Sequence, residues 1–156
     1  MRAVVQRVRE AEVAVGDELV GRIGRGLVVL AGLGRDDGDD EVGWMARKIA
    51  GLRMFDDPGS QTGRSVVEIG GEVLAISQFT LLADCRKGRR PSYDHAMPAT
   101  HATALFDRFV VALRAVVSAV ATGRFGADMQ VRLVNDGPFT LVIDSSSERA
   151  SSQSKI

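Results

Sequence analysis

The chain has 156 residues, and its 20 Lys and Arg balance its 20 Asp and Glu to a net charge of zero. That length suits one domain with a sizeable core, and zero net charge leaves no bulk electrostatic case for nucleic acid or a membrane surface, so any basic footprint must be local. A single cysteine, Cys85, excludes an internal disulfide framework and fits a reducing, cytoplasmic setting.

In chain order, residues 2–8 and 10–15 read as short strands. Gly16-Asp17 then turns into a strand over 18–23. The apolar run 27–31 has no polar face, which predicts a strand covered on both sides. The acidic cluster 36–40 suits a helix N-terminus. Val42, Met45, Ala46, Ile49 and Leu52 follow at helical spacing, predicting a helix over 39–51. Residues 52–55 read as a strand, 56–63 as a loop, and 66–69 with 72–81 as a hairpin around Gly70-Gly71.

Residues 86–98 form a loop, and Pro98 opens a helix predicted over 99–122. Strands over 130–134 and 139–143 close the pattern, separated by Asn135-Asp136-Gly137-Pro138. Residues 145–156 are rich in Ser and expected to be disordered. The expectation is one α+β domain over residues 1–144, with a largely antiparallel sheet and two main helices. The charged N-terminus lacks the apolar segment of a secretory signal, and no apolar stretch is long enough to cross a bilayer.

Two segments interrupt apolar strands with small polar groups: Ser77-Gln78-Phe79-Thr80 and Asn135-Asp136-Gly137-Pro138. The first reads either as a strand end or as a donor site built from backbone N–H groups and hydroxyls. A Thr80 or Ser77 nucleophile needs a base, and none lies in the segment; only His95 and His101 exist in the chain. The second segment reads as a hairpin turn or as a rigid Gly137-Pro138 unit presenting carbonyl oxygens. Arg86, Lys87, Arg89 and Arg90 crowd one loop and are the best candidates for phosphate contact. Neither histidine has metal-ligand spacing, and Cys85 reads as structural. These residues leave three classes open: a donor-site enzyme, a small-molecule esterase using Thr80 or Ser77 with a histidine, and a non-catalytic RNA-binding module.

Taken together the segments resemble the D-aminoacyl-tRNA deacylase family, whose signature motifs read Ser-Gln-Phe-Thr and Asn-x-Gly-Pro-x-Thr. Residues 77–80 and 135–140 match them. The resemblance spans residues 1–144 and includes Gln6-Arg7-Val8, residues 89–93 and residues 122–129. The family usually has Val where this chain has Phe139.

The resemblance implies a homodimeric, barrel-like fold and hydrolysis of the ester joining a D-amino acid to the 3′ end of tRNA, with no cofactor or metal. It implies a cis Gly137-Pro138 bond, inserted into the partner's active site so that its carbonyl oxygens exclude an L side chain. Arg7 and Asn135 support that segment. Glycyl-tRNA, including glycine mischarged on tRNA(Ala), would also enter. On this reading the N–H groups of Phe79 and Thr80 would bind the ester's carbonyl oxygen as negative charge develops, a covalent Thr80 nucleophile being the competing proposal in the family. Ser77, Gln78 and Met129 would line the adenosine pocket. Lys87, Arg89 and Arg90 would meet acceptor-stem phosphates.

Overall fold

The computed structural model describes residues 1–57 and 59–147. Its main sheet is built from β1 (Arg2–Val15), β2 (Glu18–Ile23), β3 (Gly26–Gly32), β6 (Glu72–Ser77), β7 (Val120–Thr122) and β8 (Gln130–Asp144). The strand order is β2-β1-β3-β6-β7, and β8 pairs along the other side of β1. Strand β1 is antiparallel to β2, β3 and β8, whereas β3–β6 and β6–β7 are parallel. A separate hairpin joins β4 (Phe55–Asp57) to β5 (Ser60–Arg64). The helices are α1 (Asp39–Gly51) and α2 (Ala99–Arg114), which pack on one another.

Strand β2 crosses back towards β6 and β7 and nearly closes a barrel. Gly21 permits this approach: a Cβ there would stand 2.7 Å from the Thr122 carbonyl oxygen. Alternation along the strands then serves two cores. Val8, Val13, Val28, Leu74 and Ile76 fill the barrel interior. Val5, Leu27, Val29, Val73 and Ala75 face outward beneath Met45, Ile49, Leu105 and Phe109 of the helices. This is why the run 27–31 carries no polar face: both sides of β3 are covered.

The α+β, barrel-like expectation is borne out, as is the helix over 39–51, while several local expectations are not. The predicted hairpin of 66–69 with 72–81 is replaced by turns followed by β6, which pairs in parallel with β3. The predicted loop 56–63 holds most of the β4–β5 hairpin, and the strand expected over 52–55 begins only at Phe55. Helix α2 stops at Arg114 rather than continuing to 122. The β-branched Val120 and Thr122 instead extend the sheet beside Val73 and Ala75. The two strands expected over 130–143 form one strand, so Asn135–Pro138 is not a hairpin turn. Of the expected tail, residues 148–156 lie outside the described residues. Before them, buried Ser145 accepts a hydrogen bond from the Met1 ammonium at 2.8 Å.

Candidate active site

Strand β6 ends where Ser77 pairs with Ala31, and the Gln78 N–H donates to the Ala31 carbonyl at 2.8 Å. The chain then folds into a single 3₁₀ turn, Phe79–Leu82. The first N–H groups of a helical turn have no partner within it. Accordingly, those of Phe79 and Thr80 meet no backbone acceptor among the described residues, whereas Leu81 N–H donates to the Gln78 carbonyl. The Thr80 hydroxyl accepts a hydrogen bond from the Gln78 amide at 2.5 Å, and no base is bonded to it among the described residues.

Ser77, Gln78 and Phe79 line a cleft of about 720 Å³ together with Phe125 and Met129. The Phe79 ring meets Tyr93 edge-on at 5.1 Å between centroids. Gly123 backs Met129, for a Cβ at Gly123 would overlap the Met129 sulfur. The cleft wall is mainly apolar and aromatic with a few polar residues, Arg35, Ser77, Gln78 and Asp128 among them, the usual make-up of a small-ligand site.

Arg7, Asn135, Gly137 and Pro138 form a second cluster, none of them lining this cleft. Gln6 pairs with Thr140 and Val8 with Asn135, so residues 136–139 of β8 stand opposite Arg7 alone and bulge from the ladder. Side chains replace the lost backbone pairing. Asn135 Nδ2 donates to the Arg7 carbonyl at 2.9 Å and to the Phe139 carbonyl at 3.3 Å. The buried Arg7 guanidinium donates from Nε to the Asp136 carbonyl at 2.9 Å and from Nη1 to the Met54 carbonyl at 2.6 Å. The Gly137-Pro138 peptide is cis, and both residues are exposed.

The basic loop leaves the cleft wall between the 3₁₀ turn and Tyr93, and is pinned at its neck by paired Asp84–Ser92 backbone bonds of 2.7 and 3.0 Å. Hydrogen bonds from the Arg86 side chain and then its backbone N–H hold the Asp84 carboxyl well below the usual carboxylate range. Arg86 is thus neutralised, while Lys87, Arg89 and Arg90 have no anionic partner among the described residues.

The family model described as D-Tyr-tRNA(Tyr) deacylase matches residues 4–144. A D-aminoacyl-tRNA deacylase of Desulfitobacterium hafniense is 55% identical over 145 residues, 93% of this chain and 97% of the relative. One from Thermotoga petrophila is 52% identical over 146 residues, 94% and 98% of the two chains. The chain belongs to the D-Tyr-tRNA(Tyr) deacylase family. It is therefore one of a family of hydrolases, and its fold recurs in solved relatives. The structure of a c-Myc DNA Unwinding Element Binding Protein superposes with a TM-score of 0.87 at 41% identity, covering 92% of this chain and 98% of that one.

Of the residues expected from sequence, Ser77, Gln78, Phe79 and Met129 meet at the cleft, and Thr80 follows in the turn at its edge. Reading residue by residue passed over Leu33, Arg35, Ala96, Met97 and Val131, which also line it. They come from a strand end, loops and β8 with no shared spacing, so no local signal marked them. His95 and His101 are exposed and line no part of the cleft. Among the described residues no group of three or more His, Cys, Asp and Glu could hold a metal ion, and no helix is long and apolar enough to cross a membrane.

Proposed function

We propose that this chain hydrolyses the ester bond of D-aminoacyl-tRNA, releasing the free D-amino acid and tRNA while sparing L-aminoacyl-tRNA, as an editing step of translation in the cytoplasm. Family membership supports the reaction. The observation that carries its mechanism is the pair of unaccepted N–H groups, Phe79 and Thr80, beside a cleft.

An aminoacyl ester is already activated by its α-ammonium group and the neighbouring ribose hydroxyl. Water, deprotonated with help from the terminal 2′-hydroxyl, adds to the ester carbonyl carbon. The N–H groups of Phe79 and Thr80 hold the oxygen as negative charge develops, where one such donor contributes roughly 3 kcal/mol. The bond to the ribose 3′-oxygen then breaks, and that oxygen takes up the proton. Ser77, Gln78 and Met129 hold the terminal adenosine. Lys87, Arg89 and Arg90 meet acceptor-stem phosphates.

Chirality is read by exclusion. Gly137 and Pro138 are exposed and lie outside their own subunit's cleft, so the segment suits insertion into the cleft of a second copy in a homodimer. Arg7 and Asn135 hold it from behind. Its carbonyl oxygens would clash with an L side chain, and rejection by clash suits a task in which the wrong substrate is in vast excess. Glycine has no side chain to reject, so glycyl-tRNA, including that mischarged on tRNA(Ala), also enters.

Deacylation of D-tyrosyl-tRNA and L-tyrosyl-tRNA, measured side by side, tests the reading. Loss of only the D ester supports it; loss of both identifies a general esterase, and loss of neither a binding module. Thr80→Ala then separates donor from nucleophile. Retained turnover fits the backbone donors, and complete loss with an intact fold makes Thr80 the nucleophile.

A further inference from the structure

We propose that Phe139 is a positioning residue for stereochemical selection, acting through Arg7. The inference rests on the reading of Gly137-Pro138 as the element that rejects L esters, and adds what holds that element still.

Residues 136–139 have left the ladder, so no regular backbone pairing fixes them. Their position depends on Asn135, which bonds the Arg7 and Phe139 carbonyls, on the hydrogen bond from Arg7 Nε to the Asp136 carbonyl, and on the exposed Arg9, whose Nε donates to the Asp136 carboxylate at 3.3 Å. A guanidinium gives directional hydrogen bonds only while its plane is held. Met54 fixes one edge of the Arg7 group through its carbonyl. The Asp56 and Asp136 carboxylates lie at 3.5 Å, but Asp56 is 88% exposed and screened by water. Beside the less exposed Asp136 carboxylate, a further constraint is the Phe139 ring, which has the Arg7 guanidinium carbon 4.7 Å from its centroid. The half-buried ring also packs against the main core, which holds it in place beside Arg7.

Phe139 thereby closes a loop of contacts: it belongs to the bulge, and it stacks on the cation that bonds the bulge's first carbonyl. An aliphatic side chain would fill much of the same space without the attraction between ring and cation. Arg7 could then rotate, the Asp136 carbonyl would lose its fixed donor, and the clash with an L side chain could be relieved by a small movement.

The test compares the parent with Phe139→Leu and Phe139→Tyr, each at matched folded fraction. Two quantities are read: the ratio of kcat/KM for D-tyrosyl-tRNA to that for L-tyrosyl-tRNA, and the exchange of the Arg7 Nε proton with solvent by NMR. A lost cation–ring contact corresponds to roughly a tenfold change. Phe139→Leu should lower the selectivity ratio by about that factor and speed Arg7 Nε exchange, and Phe139→Tyr, which keeps the ring, should restore both. A parent that discriminates beside a Leu variant that discriminates equally overturns the role of Phe139 and leaves the filter standing. Equal loss in both variants also overturns it, since packing rather than the ring would be responsible. A parent that hydrolyses both esters alike overturns the reading of Gly137-Pro138, and the role of Phe139 with it, whatever the exchange rates.

Discussion

Gly32 and Gln78 approach so closely that a Cβ on Gly32 would stand 2.9 Å from the Gln78 carbonyl oxygen. The same Cβ would lie 3.2 Å from the Leu81 Cβ, so the end of β3 forms a floor for the 3₁₀ turn. The backbone that aims the Phe79 and Thr80 N–H groups is therefore seated on a glycine.

Gly32→Ala should push the turn outward, since its Cβ would overlap the Leu82 side chain, which can turn aside, and crowd the Gln78 carbonyl oxygen, which is backbone and has little freedom. Overpacking of this kind costs about 1–3 kcal/mol of stability. Misplaced catalytic groups cost up to roughly 100-fold in rate. We expect kcat on D-tyrosyl-tRNA to fall tenfold or more, while affinity for deacylated tRNA is little changed. Single-turnover kinetics beside a tRNA-binding titration separate the two.

Gly123→Ala addresses Met129 on the cleft wall. Its new methyl would overlap the Met129 sulfur, and the flexible thioether would swing into the cleft rather than unfold the strand. The expected result is a raised KM with nearly unchanged kcat, and a Tm within a few degrees of the parent. A fall in kcat alone would place Met129 away from the bound adenosine.

The basic loop should appear in salt dependence. Lys87, Arg89 and Arg90 are exposed and lack anionic partners among the described residues, whereas Arg86 is held by Asp84. Replacing all three by Ala should flatten the slope of log K against log salt for tRNA binding by about 2 to 3, near one per phosphate contact. The ratio of D-ester to L-ester hydrolysis should stay constant, because these cations line no part of the cleft. Arg86→Ala should change the slope far less.

Acid should loosen the seam between the two chain ends. Arg2 bonds the Asp144 carboxylate at 2.9 and 3.0 Å, tying the start of β1 to the end of β8. Burial pushes that carboxyl up, but hydrogen bonds from Ser146 and Arg2 outweigh it and hold it below its ordinary value. A carboxyl depressed in the folded state stabilises fully above its unfolded pKa of about 3.9 and loses that contribution as pH falls through the folded value. Asp144→Asn should therefore cost about 0.5–1 kcal/mol at pH 7, a figure reduced for solvent screening. The gap to the parent should close as pH drops below about 4. Urea unfolding across pH 2.5–7 measures it.

How far the sequence reached depended on whether a signal was local. The apolar run at Leu27–Ala31 announced a strand buried on both faces, and Val42, Met45, Ala46 and Ile49 announced a helix face. Burial period alone determines such elements, because each side chain's environment follows from its neighbours in the chain. The polar interruptions at Ser77–Thr80 and Asn135–Pro138 were visible as places where a strand pattern fails. What happens there was not. Asn, Asp, Gly and Pro have the local preferences of a tight turn, yet they lie within one long strand, because β1 pairs with β8 on both sides of Arg7 and expels four residues opposite it. Likewise Val120–Thr122 continued a helical stripe by spacing and became a strand because the edge of β6 stood open beside it. Pairing partners far apart in sequence decided both. Their hydrogen bonds and shared burial outweigh intrinsic preferences of a few tenths of a kcal/mol per residue, and no window of sequence contains both partners.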